Sequence, residues 1–241
     1  MQSCQTPHTI TTHAKTILSG EHTVLRGGLA VVVPLPHQTL SLQFVADDIP
    51  LSITCQGTHA PPALAVFFRG LIDACCDHLA INPNTLHGQI ILHNTIAMGI
   101  GFGFSAAACV LVSKWFEALG HLPAEDVFAC AHKLEHPFHS QSSGCDVMGA
   151  LQETPFIYQM DAPVQPLTLT WQPHLYLSHC GEHAATHTCV EQVQHLQSQD
   201  PQKATALDQR MQQATDDMVT ALQTTQPSRR DTLQHAITCA A

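Results

Sequence analysis

Residues Met98–Ala108 read MGIGFGFSAAA: Gly99, Gly101 and Gly103 alternate with bulky apolar residues, and Ser105 with three alanines follows. Upstream, Leu86 to His93 alternates apolar and polar residues, as a half-buried strand does. Downstream, Ser105 to Leu119 is strongly apolar and stops at Gly120, which predicts a buried helix. A strand, a glycine turn and a helix start in succession can bind an anion. Glycines let backbone N–H groups converge, and the helix dipole favours negative charge. The spacing is neither GxxxxGK[ST] nor GxGxxG, and no P-loop lysine is present. A packed strand-to-helix turn that uses glycine for positive φ accounts for the loop equally well. Ser105 fits both readings, as a cap on the first N–H groups or as a hydroxyl facing phosphate or Mg²⁺.

Composition narrows the field. The chain has 241 residues, 44% of them hydrophobic, enough for a sizeable core in one large or two small domains. No apolar run approaches the roughly 18 residues of a membrane span. The opening MQSCQTPHTITTHAK lacks the basic and apolar regions of a signal peptide. Nine Lys and Arg against 19 Asp and Glu leave a net charge of −10, which argues against a nucleic-acid partner. Ten cysteines, two of them adjacent at Cys75 and Cys76, read as reduced thiols of a cytoplasmic protein.

The rest of the chain reads as α+β. Strands are expected at Ala14–Leu18, at Leu29–Val33 with Pro34 and Pro36 as stops, at Thr39–Val45, at Leu51–Cys55 and at Pro155–Gln159. Helices are expected at Ala63–Leu79 and Ala124–Glu135, with a helical turn at Val147–Leu151. Near residue 160 the composition shifts, suggesting a second unit. Leu167–Trp171 and Leu175–His179 look like strands, and a Gln-rich helical stretch broken by Pro201 and Pro227 follows. Within it Leu207, Met211, Ala214, Met218 and Leu222 form one apolar stripe, whose default partner is a sheet.

Two further segments carry candidate chemistry. AKTILSGEHTVLRGG puts Lys15 on a strand and Glu21-His22 just past a glycine turn. A lone strand lysine usually points to water. Three polar groups at one strand end could instead converge on an acidic small molecule. Glu135 closes a helix and Asp146 follows the turn SSGC. Such an aspartate often only closes an Asx-turn. Mg²⁺-dependent phosphoryl transfer, however, wants one carboxylate for the metal and another near the nucleophile.

Taken together, these segments resemble a family. AKTILSGEHTVLRGG followed by LAVVVPLP is similar to the first motif of GHMP-type small-molecule kinases, in the mevalonate kinase form K-x-I-L-x-G-E-H-x-V-x-x-G. MGIGFGFSAAA resembles their P-x-x-x-G-L-G-S-S-A-A, and HSQSSGCD their H-G-x-P-S-G-x-D. Glu135 stands eleven residues before Asp146, the offset this loop carries in those kinases. The resemblance covers residues 14 to 160 and fits more loosely beyond. It implies an N-terminal ATP-binding domain over 1–160, of the ribosomal-protein-S5-like type with a left-handed βαβ element. A partial ferredoxin-like C-terminal domain would occupy 161–241. The implied activity is phosphorylation of mevalonate at its 5-hydroxyl by Mg-ATP, in isoprenoid precursor synthesis.

Carried over by position, Asp146 would accept or orient the hydroxyl proton, and Lys15 would keep Asp146 ionised. Gly99, Gly101, Gly103, Ser105, Ala106 and Ala107 would hold the ATP phosphates. Ser105 and Glu135 would bind Mg²⁺. Glu21, His22, His139 and Ser143 would face the acceptor. The pattern also departs from the family's. Ala97 stands for the opening proline, Phe102 for leucine and Phe104 for the first paired serine, while Ser140 and Ser142 replace glycine and proline. The late K-x-x-G-x-G-x-G-G motif is absent from the sequence, which implies a shortened second domain. The alternatives are a phosphomevalonate kinase, another GHMP small-molecule kinase, or a non-catalytic GHMP-fold binding protein forming half of a homodimer. His179, Cys180, His183, His187 and Cys189 read as a chance cluster in a chain of 18 His rather than as a zinc site.

Overall fold

The computed structural model describes residues 8–138, 142–171, 173, 176–177, 186–225 and 229–240. The fold is built on one long strand. β1 (His8–Ser19) runs antiparallel to β2 (Ala30–Pro50) along most of its length. On the other edge of β2 two strands share the ladder. β5 (Phe156–Tyr158) pairs with Ala30–Val32, and β4 (His87–Asn94) pairs with Leu40–Val45 and Pro50. β3 (Ser52–Gln56) adds in parallel to β4, and β6 (Gln165–Pro166) adds to β5.

The two separate strands expected on either side of Pro34 and Pro36 are one strand. Proline lacks an N–H, so it survives in a sheet only where no ladder bond is wanted. Lys15, the partner of Pro34 in β1, sends its own N–H outward to the carbonyl of Phe102 at 3.1 Å. The Lys15–Pro34 pair is therefore not hydrogen-bonded. On the opposite edge β5 has ended at the partner of Val32, and β4 begins at the partner of Leu40. Pro36 lies in the register shift between Leu35 and Thr39, where β2 bulges away from β1.

The helices follow the 3.6-residue pattern. α1 (Ala63–Leu79) ends on Ala80 in the left-handed conformation. α2 (Phe104–Ala118) is buried continuously from Ala106 to Ser113. α3 (Val127–Glu135) follows a short 3₁₀ turn at Ala124–Asp126, and α4 is Cys145–Leu151. These helices enclose the main core with the sheet, around Leu40, Leu42, Phe68, Ile90, Leu92, Leu111, Trp115 and Phe116.

The later part is helical: α5 (Thr186–Gln199), α6 (Pro201–Gln223) and α7 (Arg229–Ala240). Asp200 caps α6 by accepting from Lys203 N at 2.9 Å, with Pro201 opening the helix. Met218, Ala221 and Leu222 of α6 pack with Leu233 and Ala236 of α7 against Val31 and Ile157, so the sheet does cover this stripe. Leu207 lies outside it, 40% exposed. Leu167–Trp171 is not a strand. Its polar groups turn to the end of α6 instead: Thr170 N donates to Leu222 O at 3.2 Å and Trp171 Nε1 to Ala221 O at 2.9 Å. The strand expected at Leu175–His179 lies outside the described residues except for Tyr176 and Leu177, which are not in a strand. Described cysteines 55, 75, 76, 109, 130 and 145 are free thiols. No helix among the described residues is long and apolar enough to cross a membrane.

Candidate active site

The strand lysine does not point to water. Lys15 is 5% exposed, and its Nζ lies 2.7 Å from Asp146 Oδ1. Nζ also donates to the carbonyl of Gly101 at 3.3 Å. β1, the glycine loop and the start of α4 therefore meet at one ammonium group. Its methylene stem lies between two glycines. A Cβ on Gly103 would stand 2.7 Å from Lys15 Cε, and one on Gly149 would stand 2.8 Å from Lys15 Cγ. Burial acts to lower the Lys15 pKa, but the charge of Asp146 and its hydrogen bond outweigh burial and leave it raised.

The loop itself has an unusual backbone. Gly99, Gly101 and Gly103 all have positive φ, at 76°, 82° and 72°. Such a conformation is close to free for glycine and strained for other residues. The space above Gly101 is open, with nothing within 4 Å of where a Cβ would be. Gly103 stands at the N-cap of α2, and Ser105, Ala106 and Ala107 form its first turn. Ser105 makes no cap bond, since no side chain caps this helix. Phe104 does not occupy the loop's open side. Its ring packs on Phe67 of α1, with centroids 5.6 Å apart, and Phe67 packs in turn on Phe138 at 5.5 Å.

A second carboxylate lies deeper. Glu135 is 1% exposed at the end of α3. Burial and the charge of Asp146 push its pKa up to about 7, against the opposing effects of Ser142 and Lys15. Glu135 also raises the pKa of Cys109, which lies one helical turn beyond Ser105 on α2. Cys109 and Ser105, four residues apart, share a face of α2. Ser142 Oγ donates to Glu135 Oε2 at 2.6 Å and accepts from Gly144 N at 3.2 Å. No group of three or more His, Cys, Asp and Glu converges as a metal cluster among the described residues.

The acceptor-side candidates divide. Glu21 and His22 are together, Oε1 to Nε2 at 3.4 Å, on the turn after β1. The charge of Glu21 reaches Lys15 and Cys145. His22 borders a groove whose other wall is α5, lined by Leu25, Arg26, Val190, Val193 and Gln194. Ser143 is part of the turn. Its Oγ accepts from Cys145 N at 3.3 Å and its carbonyl accepts from Tyr158 Oη at 2.6 Å. His139 lies outside the described residues, as does the 179–189 His and Cys cluster in its side chains.

Ser142 and Gly149 carry no site role in the sequence reading, although both touch the site. Gly149 has a signal, an isolated glycine inside a helical pattern. Ser142 has none, because only the fold brings it to Glu135.

Comparison with known proteins agrees with this geometry. Residues 67–153 match the GHMP kinases N terminal domain. A mevalonate kinase of Aeropyrum pernix is 27% identical over 153 residues, which is 57% of this chain and 46% of that protein. The match thus spans less than half the length of that relative. The crystal structure of L. major mevalonate kinase in complex with R-mevalonate has the same fold, with a TM-score of 0.72 at 22% identity. That likeness covers 96% of this chain and 76% of the other. The Streptococcus pneumoniae phosphomevalonate kinase shares the fold at a TM-score of 0.64 and 16% identity, over 97% and 77% of the two chains. Residues 67–153 thus match the N-terminal domain of GHMP kinases, and the described chain shares the α+β fold of the two solved kinases.

Proposed function

We propose that the chain transfers a phosphoryl group from Mg-ATP to the 5-hydroxyl of mevalonate. The observation that carries this reading is the 2.7 Å Lys15–Asp146 pair, held beside a loop of three left-handed glycines. In this reading residues 1–160 are the ATP-binding domain, S5-like in type, and 161–241 belong to a ferredoxin-like domain.

The residues present fit Mg-ATP on two counts. The space over Gly101 is open beside the first turn of α2, where backbone N–H groups favour an anion. Glu135 and Asp146 together outnumber the one buried lysine, and burial followed by the charge of Asp146 raises the pKa of Glu135. A divalent cation would offset the charge of the two carboxylates. Gly99, Gly101, Gly103 and the 105–107 backbone would hold the nucleotide phosphates, and Ser105 and Glu135 the cation. When bound, Mg-ATP supplies the phosphoryl group and the charge that offsets its oxygens.

The chain's own residues do the rest. Asp146 is 29% exposed, so its carboxylate borders solvent while its partner ammonium is buried. It receives the acceptor hydroxyl's proton as the hydroxyl oxygen bonds to phosphorus and the bond to the leaving phosphate oxygen breaks. Lys15 Nζ, 2.7 Å away, holds the Asp146 carboxylate in place. Glu21, whose charge reaches Lys15, and His22 beside it would orient the acceptor.

The test is mevalonate-dependent ADP release by the pure protein with Mg-ATP, with phosphomevalonate as a parallel acceptor. Asp146→Asn should abolish release while the fold, read by circular dichroism, stays intact. Absence of mevalonate-dependent release from wild type would sink the proposal, and release with phosphomevalonate alone would move the reading to that acceptor.

A further inference from the structure

Ser142 bonds through both its hydroxyl and its carbonyl. Gly144 N–H is a donor, so Ser142 Oγ must accept from it. The single hydroxyl proton is then available to Glu135 Oε2, 2.6 Å away. That length falls in the range of charge-assisted O–H···O bonds. The Ser142 carbonyl accepts from His132 Nε2 at 3.1 Å, which places the ring proton on Nε2. His132 and Glu135 both belong to α3, so one serine ties the end of that helix to the turn before α4. The proline that stands at this position in the similar kinase loop has no hydroxyl and could not make the contact with Glu135.

We propose that Ser142 is a positioning residue. It fixes the Glu135 carboxylate toward the cation position and, through Gly144, fixes the turn that presents Asp146. The two carboxylates of the site are thereby held in one relative placement by a single side chain. The cation-orienting half of this role rests on the kinase reading above, whereas the clamp on the turn does not.

The experiment uses the full chain and two independent readouts. The first is hydrogen exchange at the Gly144 amide without any ligand. The second is Mn²⁺ affinity in the presence of ATP, read by electron paramagnetic resonance. Ser142→Ala should lower Gly144 protection by roughly fivefold, the scale of one neutral hydrogen bond, and weaken Mn²⁺ binding by roughly tenfold, the scale of one hydrogen bond to a charged group. Ser142→Thr, which keeps the hydroxyl, should restore both. In a Glu135→Gln background, Ser142→Ala should have little further effect on Mn²⁺. Wild-type Gly144 protection and Mn²⁺ affinity in Ser142→Ala would overturn the inference. So would a loss of Mn²⁺ affinity that simply adds to that of Glu135→Gln. If wild type itself binds no Mn²⁺ with ATP, the kinase reading and the cation-orienting role fall together, and the amide readout alone judges the clamp.

Discussion

Lys15 and Asp146 form an ion pair whose two halves differ in environment: the lysine side chain is 6% exposed and the aspartate 29%. The asymmetry makes the two partners unequal in what their loss costs. Removing the carboxylate leaves a buried ammonium bonded, among the described residues, only to the Gly101 carbonyl and without a counter-charge in contact there. Removing the ammonium leaves a carboxylate that water can reach. Asp146→Asn should therefore destabilise the fold more than Lys15→Met, which keeps an apolar stem in place. Breaking a fully buried pair costs about 3–5 kcal/mol, and the partial exposure of Asp146 reduces this to roughly 1–3. Urea unfolding of the two variants gives the order, and a less stable Lys15→Met would contradict it.

Gly149→Ala offers a test of the lysine cradle that does not depend on chemistry. Its φ is not positive and it lies inside α4, so helix propensity alone favours alanine by about 0.8–1 kcal/mol. The added methyl would, however, stand 2.8 Å from Lys15 Cγ, 3.0 Å from its Cβ and 3.3 Å from Val32 Cγ1. Because Lys15 is tethered at Nζ by Asp146, its stem cannot swing away cheaply. Gly149→Ala should thus be net destabilising by about 1–3 kcal/mol, the usual cost of overpacking. Part of the loss should be recovered in a Lys15→Ala background, and a double-mutant cycle in urea measures this coupling.

What the sequence made readable follows from the range of the forces involved. The helix expected over Ala63–Leu79 is the one found, because its periodic apolar face is a local property. The glycine loop lies between strand and helix, as expected, for the same reason. The continuity of β2 through Pro34 and Pro36 was not readable, since it depends on where β4 and β5 begin and end along its far edge. Leu167–Trp171 has strand-like composition, yet only Leu167 N bonds toward the sheet, at Pro155 O, while Thr170 and Trp171 bond to α6, about fifty residues away in sequence. The site shows the same division. Lys15 and Asp146 were expected together from resemblance, but Gly149 and Ser142 meet Lys15 and Glu135 only through the fold.

Glu135 gives the stability a pH dependence of known sign. Its folded pKa is raised to about 7 by burial and by Asp146. The unfolded value is near 4.3, so the folded state holds more protons between the two values. Stability contributed by this group is therefore full below about pH 4 and is lost as pH rises through about 7. The loss relative to Glu135→Gln is on the order of 3 kcal/mol for a shift of this size. Urea melts at pH 5 and pH 8 should show wild type losing ground to Glu135→Gln at the higher pH. A constant difference between them would mean that Glu135 titrates normally in the fold.

Phe104 stands where the resembled kinase motif carries the first of its paired serines, so a bulky ring would be expected to crowd the loop. The structure changes that expectation. The ring packs against Phe67 of α1 and joins the margin of the main core, so it lies away from the open space over Gly101. Aromatic contacts of this kind contribute about 0.5–1.5 kcal/mol beyond area burial, and truncation of a partly buried ring costs roughly 1–3 kcal/mol in all. Phe104 also begins α2, directly after the left-handed Gly103. Anchoring it to Phe67 holds the end of the glycine loop against α1. Phe104→Ser should therefore lower stability by that amount and leave ATP affinity unchanged or weaker, because it loosens the loop without freeing space in it. Calorimetric titration of ATP into both proteins, beside their thermal unfolding, checks the two halves together. A clear gain in ATP affinity would mean that the ring competes with the phosphates after all.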